Sequence, residues 1–117
     1  MVQSKIRLKA AQMGVGLWRN NVGVLQDATG RPLRYGLAND SPKVNKKIKS
    51  ADLVGVWPIL ITPEMAGRTI GQFVSLEVKP PGWVYTGTER EKAQLKWAEI
   101  INSHGGYAKF ITGEDQL

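Results

Sequence analysis

One apolar segment ends in an acid and a base whose spacing could support catalysis. Residues 72–79 alternate in a way that predicts a strand, which puts Glu77 and Lys79 on one face, about 6.6–7 Å apart along the strand. A carboxylate beside an ammonium group could bind a divalent cation and stabilise charge developing on a phosphate. The alternative interpretation is an ordinary exposed ion pair on an edge strand.

A second carboxylate opens the other strongly apolar segment, residues 52–61. Asp52 needs a partner at the start of a buried strand, and a local turn with Ser50 would supply one. The alternative places Asp52 beside Glu77 on a neighbouring strand, where two carboxylates repel each other unless a cation lies between them. Mg²⁺ or Mn²⁺ would fit these oxygen ligands, with the backbone carbonyl of Val78 as a further ligand.

A helix after the second strand carries one polar side chain among apolar ones. Gln94 shares a helical face with Trp97, Ala98 and Ile101, which predicts that this face packs on the sheet. The Gln94 amide must be hydrogen-bonded there, either by backbone groups or by a site at the strand ends. Of the four tryptophans, Trp83 follows a Pro-Pro-Gly break and is the one that could contact a substrate.

The charge of the chain is divided unevenly. Residues 1–49 contain ten basic and two acidic residues, whereas residues 50–117 contain six basic and eight acidic ones. A basic half beside an acidic half suits a polyanion held next to a carboxylate site. The alternative is a solvated basic surface without a partner. Four lysines just before Asp52 could contact phosphates or solubilise a loop, and they are called the lysine cluster below: Lys43, Lys46, Lys47 and Lys49.

Composition excludes several other classes of protein. Cysteine is absent and His104 is the only histidine among the 117 residues, so disulfide scaffolds, zinc fingers and cysteine nucleophiles are excluded. No apolar run approaches the ~20 residues of a membrane span. We therefore expect one domain over residues 1–117, no membrane partner and a cytoplasmic location.

Helices and strands must position these side chains. The pattern predicts an α/β fold, a small mixed β-sheet flanked by helices, with Val74, Leu76 and Val78 facing the core. A Thr-x-x-Glu capping box at Thr88 starts the second helix. The predicted elements are a helix over 4–13, extended segments over 17–20 and 22–26, a turn over 27–32, a strand over 33–37, a loop over 38–50, a strand from 52 to about 57, a loop over 62–69, a strand over 72–79, a helix over 88–103 and a strand over 107–111.

Six short motifs occur in an order that resembles the VRR-NUC family, the virus-type replication-repair nucleases of the PD-(D/E)xK superfamily. The motifs are Trp18–Gly23, Arg34–Leu37, Ser50–Gly55, Glu77–Lys79, Gln94 and Gly105–Ala108. The resemblance implies a restriction-endonuclease-like core and Mg²⁺- or Mn²⁺-dependent cleavage of DNA. Stand-alone members of this size are typical of phages and are similar to homodimeric Holliday-junction resolvases, which would place the protein in the host cytoplasm.

The resemblance also implies roles for individual residues. Asp52 and Glu77 would bind the metal, and Val78 would contribute its carbonyl. Lys79 would be the catalytic lysine, and Gln94 would be the family's helix glutamine near the site.

The resemblance implies roles for two further residues, and in one respect this sequence differs from the family. Arg19 and Asn21 fall in the family's Arg-Asn-Asn segment and would contact phosphate or support the site. The family's glutamate on the first helix has no counterpart, because no acid precedes Asp27. The missing acid makes a catalytically weak or inactive DNA-binding protein with a nuclease-like fold the alternative function. The basic charge also fits a third function, that of an RNA-binding or ribosome-associated protein.

Overall fold

The computed structural model describes residues 2–117, which form three α-helices and six short strands. The α/β class predicted from the sequence is confirmed. In chain order the elements are α1 (Val2–Gln12), β1 (Gly16–Arg19), β2 (Gly23–Gln26), β3 (Pro32–Tyr35), α2 (Pro42–Lys47), β4 (Leu53–Val56), β5 (Val74–Val78), α3 (Glu89–Ser103) and β6 (Tyr107–Ile111), with single 3-10 turns at Pro63–Met65 and Glu114–Gln116.

Strand pairing within residues 2–117 gives three two-stranded sheets, β1 with β4, β2 with β3 and β5 with β6. The single mixed sheet expected from the sequence is not formed. Strands of four or five residues were recognisable from their composition, but their partners depend on contacts between distant segments that local patterns do not encode.

The chain divides into two compact units, which are described separately. The first comprises residues 2–13 and Leu17–Gly55, and the second comprises Gly14–Gly16 and Val56–Leu117. No helix within residues 2–117 is long and apolar enough to cross a membrane.

The first unit is built on the antiparallel β2–β3 hairpin. Its turn is closed by Asp27, whose carboxylate accepts hydrogen bonds from the backbone N–H groups of Thr29 and Arg31, both at 2.9 Å. Gly30 adopts a φ of +83°, which favours glycine at this position. The turn predicted over residues 27–32 is therefore confirmed.

A short helix replaces the middle of the loop predicted over residues 38–50. Ser41 caps α2 by accepting a hydrogen bond from the backbone N–H of Val44 at 3.2 Å, and Pro42 occupies its first turn. Serine followed by proline is a strong helix-start signal. The loop prediction was wrong for residues 42–47, because the Ser-Pro start and its cap form a helix in spite of the loop-like basic composition.

The second unit contains a β5–α3–β6 crossover in which β5 and β6 are parallel. The predicted capping box is confirmed, since Thr88 Oγ1 accepts from the N–H of Glu91 while the Glu91 carboxylate accepts from the N–H of Thr88. Gly105, with a φ of +89°, follows the end of the helix as expected. Ile101, fully buried, anchors α3 on this pair of strands.

The two faces of β5 are assigned the other way round from the sequence prediction. Val74 and Val78 are 52% and 71% exposed, so their face is not the buried one. Instead α3 covers the face that carries Ser75 and Glu77, because Trp97 Nε1 donates to Ser75 Oγ at 2.8 Å. Alternation correctly divides the side chains into two faces, but it cannot tell which face a helix will cover.

Candidate functional site

Glu77, Gln94 and Lys79 form a continuous chain of side-chain hydrogen bonds in the second unit. Gln94 Nε2 donates to Glu77 Oε1 at 2.6 Å, and Lys79 Nζ donates to Gln94 Oε1 at 2.7 Å. An amide has one donor end and one acceptor end, so it can bind a carboxylate and an ammonium group simultaneously. All three side chains are half-buried. Glu77 and Lys79 therefore do not pair directly, and the Gln94 amide between them fixes their relative position.

These side chains come from the end of β5 and from α3, and local contacts fix the backbone of both elements. Glu77 and Lys79 share a face of the extended segment at the end of β5, and Lys79 N donates to Ile111 O at 2.8 Å, which continues the parallel pairing. Gln94 lies in the second turn of α3, after the capping box. Its amide bonds two side chains at the end of β5, Glu77 and Lys79, rather than backbone groups.

The ammonium group of Lys79 also lies against two aromatic rings. Its Nζ atom is 5.5 Å from the ring centroid of Trp83 and 5.7 Å from that of Phe110. The two rings pack on each other with centroids 4.9 Å apart. A cation within about 6 Å of an aromatic ring is attracted by its quadrupole. Trp83, the one tryptophan expected near a substrate, thus lies beside the candidate lysine.

A pocket of about 380 Å³ opens next to this chain of hydrogen bonds, between α3 and the β5–β6 pair. Glu77 and Gln94 belong to its polar part, and Arg90 and Lys109 supply positive charge. Its remaining walls are mainly apolar and aromatic: Leu76, Ala93, Trp97, Ala98, Ala108 and Phe110, with Ser75. The volume lies within the range of small-molecule sites.

Glu77 and Val78 carry the oxygen atoms that the sequence predicts as metal ligands. Oε1 of Glu77 accepts from Gln94, while Oε2 has no hydrogen bond within residues 2–117. Val78 is the register partner of Ile111, whose oxygen accepts from Lys79 N. In a parallel ladder this geometry directs the Val78 carbonyl away from β6. No cluster of three or more His, Asp or Glu side chains that could hold a metal occurs in residues 2–117.

Asp52, the other predicted metal ligand, belongs to the first unit. It is exposed and directly precedes β4. Its backbone oxygen accepts a hydrogen bond from Asn20 N at 2.8 Å. The Asp52 carboxylate has no hydrogen bond or ion pair within the described chain, so the turn with Ser50 is not formed by this side chain. Ser50 Oγ instead donates to the backbone oxygen of Leu37.

Asn20 organises the segment that contains Asp52, whereas the residues predicted to act here were its neighbours Arg19 and Asn21. The Asn20 Nδ2 atom donates to Ser50 Oγ at 2.7 Å and to the backbone oxygen of Ala51 at 2.9 Å. Arg19 and Asn21 are exposed. Residues 19–21 are all polar, and the sequence does not show which of the three side chains points into the protein. Asn20 was therefore missed.

Asn39 is a second buried polar residue that the sequence did not reveal. It is 3% exposed, and its Nδ2 donates to the backbone oxygens of Gly23 and Tyr35, each at 2.8 Å. Arg34 completes the arrangement by donating to Asn39 Oδ1 at 2.7 Å. These contacts fix the start of the segment that leads to the lysine cluster.

The lysine cluster lies on α2 and immediately after it, and all four side chains are exposed. Positions 43, 46 and 47 are three and four residues apart, so they share one side of the helix. Lys49 Nζ donates to Asn45 Oδ1 at 2.8 Å, whereas the other three side chains make no hydrogen bond or ion pair within residues 2–117. An exposed group of ammonium ions is available to an anionic ligand.

No protein-family model matches the chain, and neither do any curated protein or solved structure.

Proposed function

We propose that the chain is a metal-dependent endonuclease that hydrolyses phosphodiester bonds in branched DNA, with a single VRR-NUC-like nuclease domain over residues 1–117 and a restriction-endonuclease-like core. The chain of hydrogen bonds from Glu77 through Gln94 to Lys79 is the observation that carries this proposal. It joins the proposed metal ligand to a cation that can stabilise phosphate charge, and this proposal needs both for hydrolysis of a phosphodiester.

Mg²⁺ or Mn²⁺ is the cofactor of this proposal, held at the end of β5. Glu77 would bind it through Oε2, which accepts no hydrogen bond within residues 2–117, and Val78 would offer its carbonyl. Asp52, the second acid that the family resemblance implies, remains an expectation from the sequence. When bound, the cation would neutralise charge on the phosphate and make a coordinated water more acidic. Carboxylate and carbonyl oxygens are the ligands that such hard cations prefer.

Lys79 and Gln94 have distinct tasks in this proposal. The Lys79 ammonium would donate hydrogen bonds that orient the attacking water or stabilise negative charge on the phosphate. Gln94 binds Glu77 and Lys79 simultaneously, which limits the rotation of both side chains. Reacting groups that are already oriented avoid much of the entropy cost of reaching the transition state.

Binding of the DNA backbone is assigned to exposed basic and polar residues of the first unit. The lysine cluster, Arg19 and Asn21 are accessible to phosphates. Contacts of this kind position a duplex without reading its bases, so binding should follow DNA shape and weaken with salt. Symmetric cleavage of a junction requires two sites, so a homodimer is part of the proposal. A monomer in sedimentation experiments with and without DNA would contradict that part.

The direct test is incubation of purified protein with four-way junction, flap and linear DNA in the presence of Mg²⁺ or Mn²⁺. We expect cleavage of branched substrates that is abolished by EDTA and by Glu77→Ala. A matched control is Glu99→Ala, because Glu99 is exposed on α3, outside the hydrogen-bond chain. Absence of cleavage in the wild-type protein, or full cleavage by Glu77→Ala, would contradict the proposal.

One observation favours a second candidate, a DNA-binding protein of this fold without turnover. No residue of α1 is acidic, so the acid that VRR-NUC proteins place on the first helix has no counterpart in α1. This candidate predicts junction binding with no metal-dependent cleavage. A third candidate, an RNA-binding protein, would be favoured only by preference for RNA over DNA in competition.

A further inference from the structure

Glu91 accepts more hydrogen bonds than its role in capping α3 requires. A capping box needs one bond, from the N-cap backbone N–H to the glutamate at the third helical position. Glu91 Oε1 makes that bond with Thr88 N at 3.0 Å and also accepts from Thr86 N at 3.1 Å and Thr86 Oγ1 at 3.2 Å. The side chain is 6% exposed. A buried carboxylate therefore fixes the loop that precedes the helix.

The other oxygen of the same carboxylate is bonded to a tryptophan. Glu91 Oε2 accepts from Trp83 Nε1 at 2.9 Å. Trp83 enters the loop through a tight turn in which its N–H donates to Pro80 O at 3.1 Å and Gly82 adopts a φ of +82°. The turn sets the backbone, and the bond to Glu91 sets the orientation of the indole.

The indole held in this way is one of the two rings that flank the Lys79 ammonium. Trp83 packs on Phe110 with centroids 4.9 Å apart, and Lys79 Nζ lies 5.5 Å from the Trp83 ring and 5.7 Å from the Phe110 ring. A lysine side chain has four rotatable carbon–carbon bonds, so a hydrogen bond to Gln94 alone restrains only its end. The ring restrains the ammonium from another direction.

We propose that Glu91 is a positioning residue: by fixing the Trp83 indole, it determines where the Lys79 ammonium lies. Glu91 itself contacts neither Lys79 nor Gln94 in the hydrogen bonds of residues 2–117. The effect of Glu91 on cleavage rests on the proposed nuclease function, whereas the effect of Glu91 on the position of Lys79 is independent of it.

Glu91→Gln separates this role from helix capping. The glutamine oxygen can still accept from Thr86 and Thr88, which preserves the cap, but its NH₂ group then faces the donor Trp83 Nε1–H, and two donors cannot bond each other. Glu89→Gln is the matched control. Glu89 lies in the same first turn of α3, its side chain is 94% exposed and its ion pair is with Lys92.

The first readout is the position of Lys79, measured without DNA. In ¹H–¹³C spectra of lysine-labelled protein, the Lys79 side-chain resonances, assigned with Lys79→Arg, should be shifted upfield by the ring currents of Trp83 and Phe110. Glu91→Gln should move them most of the way to the values of free lysine, and Glu89→Gln should leave them in place. An unchanged Lys79 signal in Glu91→Gln would overturn the proposal.

The second readout is the division of the kinetic effect. For junction cleavage, Glu91→Gln should lower kcat about tenfold while KM for DNA changes less than about twofold, since Lys79 is displaced but DNA binding is retained. The role in cleavage would be overturned if kcat of Glu91→Gln fell only in proportion to the fraction of active protein. It would also be overturned if kcat of Glu91→Gln equalled that of Glu89→Gln. If the wild-type protein cuts no DNA, the proposed function fails, and the Lys79 spectra alone decide the placement by Glu91.

Discussion

Replacement of Gln94 by methionine tests the hydrogen-bond chain most cleanly, because the side chain keeps its length and loses its amide. Two hydrogen bonds are removed, to Glu77 Oε1 at 2.6 Å and from Lys79 Nζ at 2.7 Å. Bonds to charged groups each contribute about 1.5–3 kcal/mol when well shielded. Since all three side chains are half-buried and water can replace part of the loss, we expect the free energy of unfolding to fall by about 1–3 kcal/mol.

The assay is urea denaturation followed by circular dichroism. The midpoint should decrease at unchanged m-value, which identifies a loss of stability without a change in the denatured state. Lys96→Met is the control, since Lys96 is exposed on the same helix and should change stability by less than about 0.5 kcal/mol. In a double-mutant cycle, Gln94→Met and Lys79→Met should show a coupling of about 0.5–1.5 kcal/mol.

The same variant makes a kinetic prediction. Without the amide, Glu77 and Lys79 are no longer held in register, and cleavage should slow by about tenfold to a hundredfold. A Gln94→Met protein as stable as the Lys96→Met control, with no coupling to Lys79, would refute the view that the amide holds the acid and the base together.

Three further predictions concern other parts of the chain. The bond from the Thr88 backbone N–H is the main reason that the pKa of Glu91 is lowered from 4.5 to about 2, with smaller contributions from Thr86 and Trp83. The ionised Glu91 carboxylate therefore contributes fully to stability above about pH 4.5, and this contribution is lost as the pH falls towards about 2. Between these pH values the free energy of unfolding should fall less steeply in Glu91→Gln than in the wild type. Equal slopes in the two proteins would contradict this prediction. Asn39→Ala removes three hydrogen bonds of a buried side chain and should lower the free energy of unfolding by about 1–3 kcal/mol in thermal or urea melts, whereas a change below about 0.5 kcal/mol would count against it. Replacing the lysine cluster by glutamines should reduce the slope of log Kd for DNA against log salt by up to about 3.6, measured by fluorescence anisotropy, and an unchanged slope would remove the cluster from the DNA surface.

Local signals predicted the second unit better than the first. The capping box and glycine stop gave α3 nearly to its bounds, and the alternation of residues 72–79 placed Glu77 and Lys79 on one face. Helix α2 was missed because a six-residue helix has little periodicity and depends on its Ser-Pro start. Short elements of this kind are decided by capping contacts rather than by an apolar face.

The partners of the site residues could be predicted only in part. The polar amide of Gln94 on an apolar face indicated a buried contact, but its bonds to Glu77 and Lys79 depend on how far α3 is shifted along β5, which sequence periodicity does not specify. The hydrogen bond between Trp83 and Glu91, eight positions apart, was not predicted either, because it depends on the conformation of the loop between them, which sequence periodicity does not specify. Asn39 was missed because only the folded hairpin brings its acceptors together.

The most direct test of the nuclease proposal is the single-turnover rate of four-way-junction cleavage as a function of Mg²⁺ concentration, compared among wild-type protein, Glu77→Gln and Glu99→Gln. The account predicts saturable, metal-dependent cleavage by the wild type and by Glu99→Gln, and loss of at least about a hundredfold in rate for Glu77→Gln. Cleavage by Glu77→Gln at the wild-type rate and with the same metal dependence would contradict it.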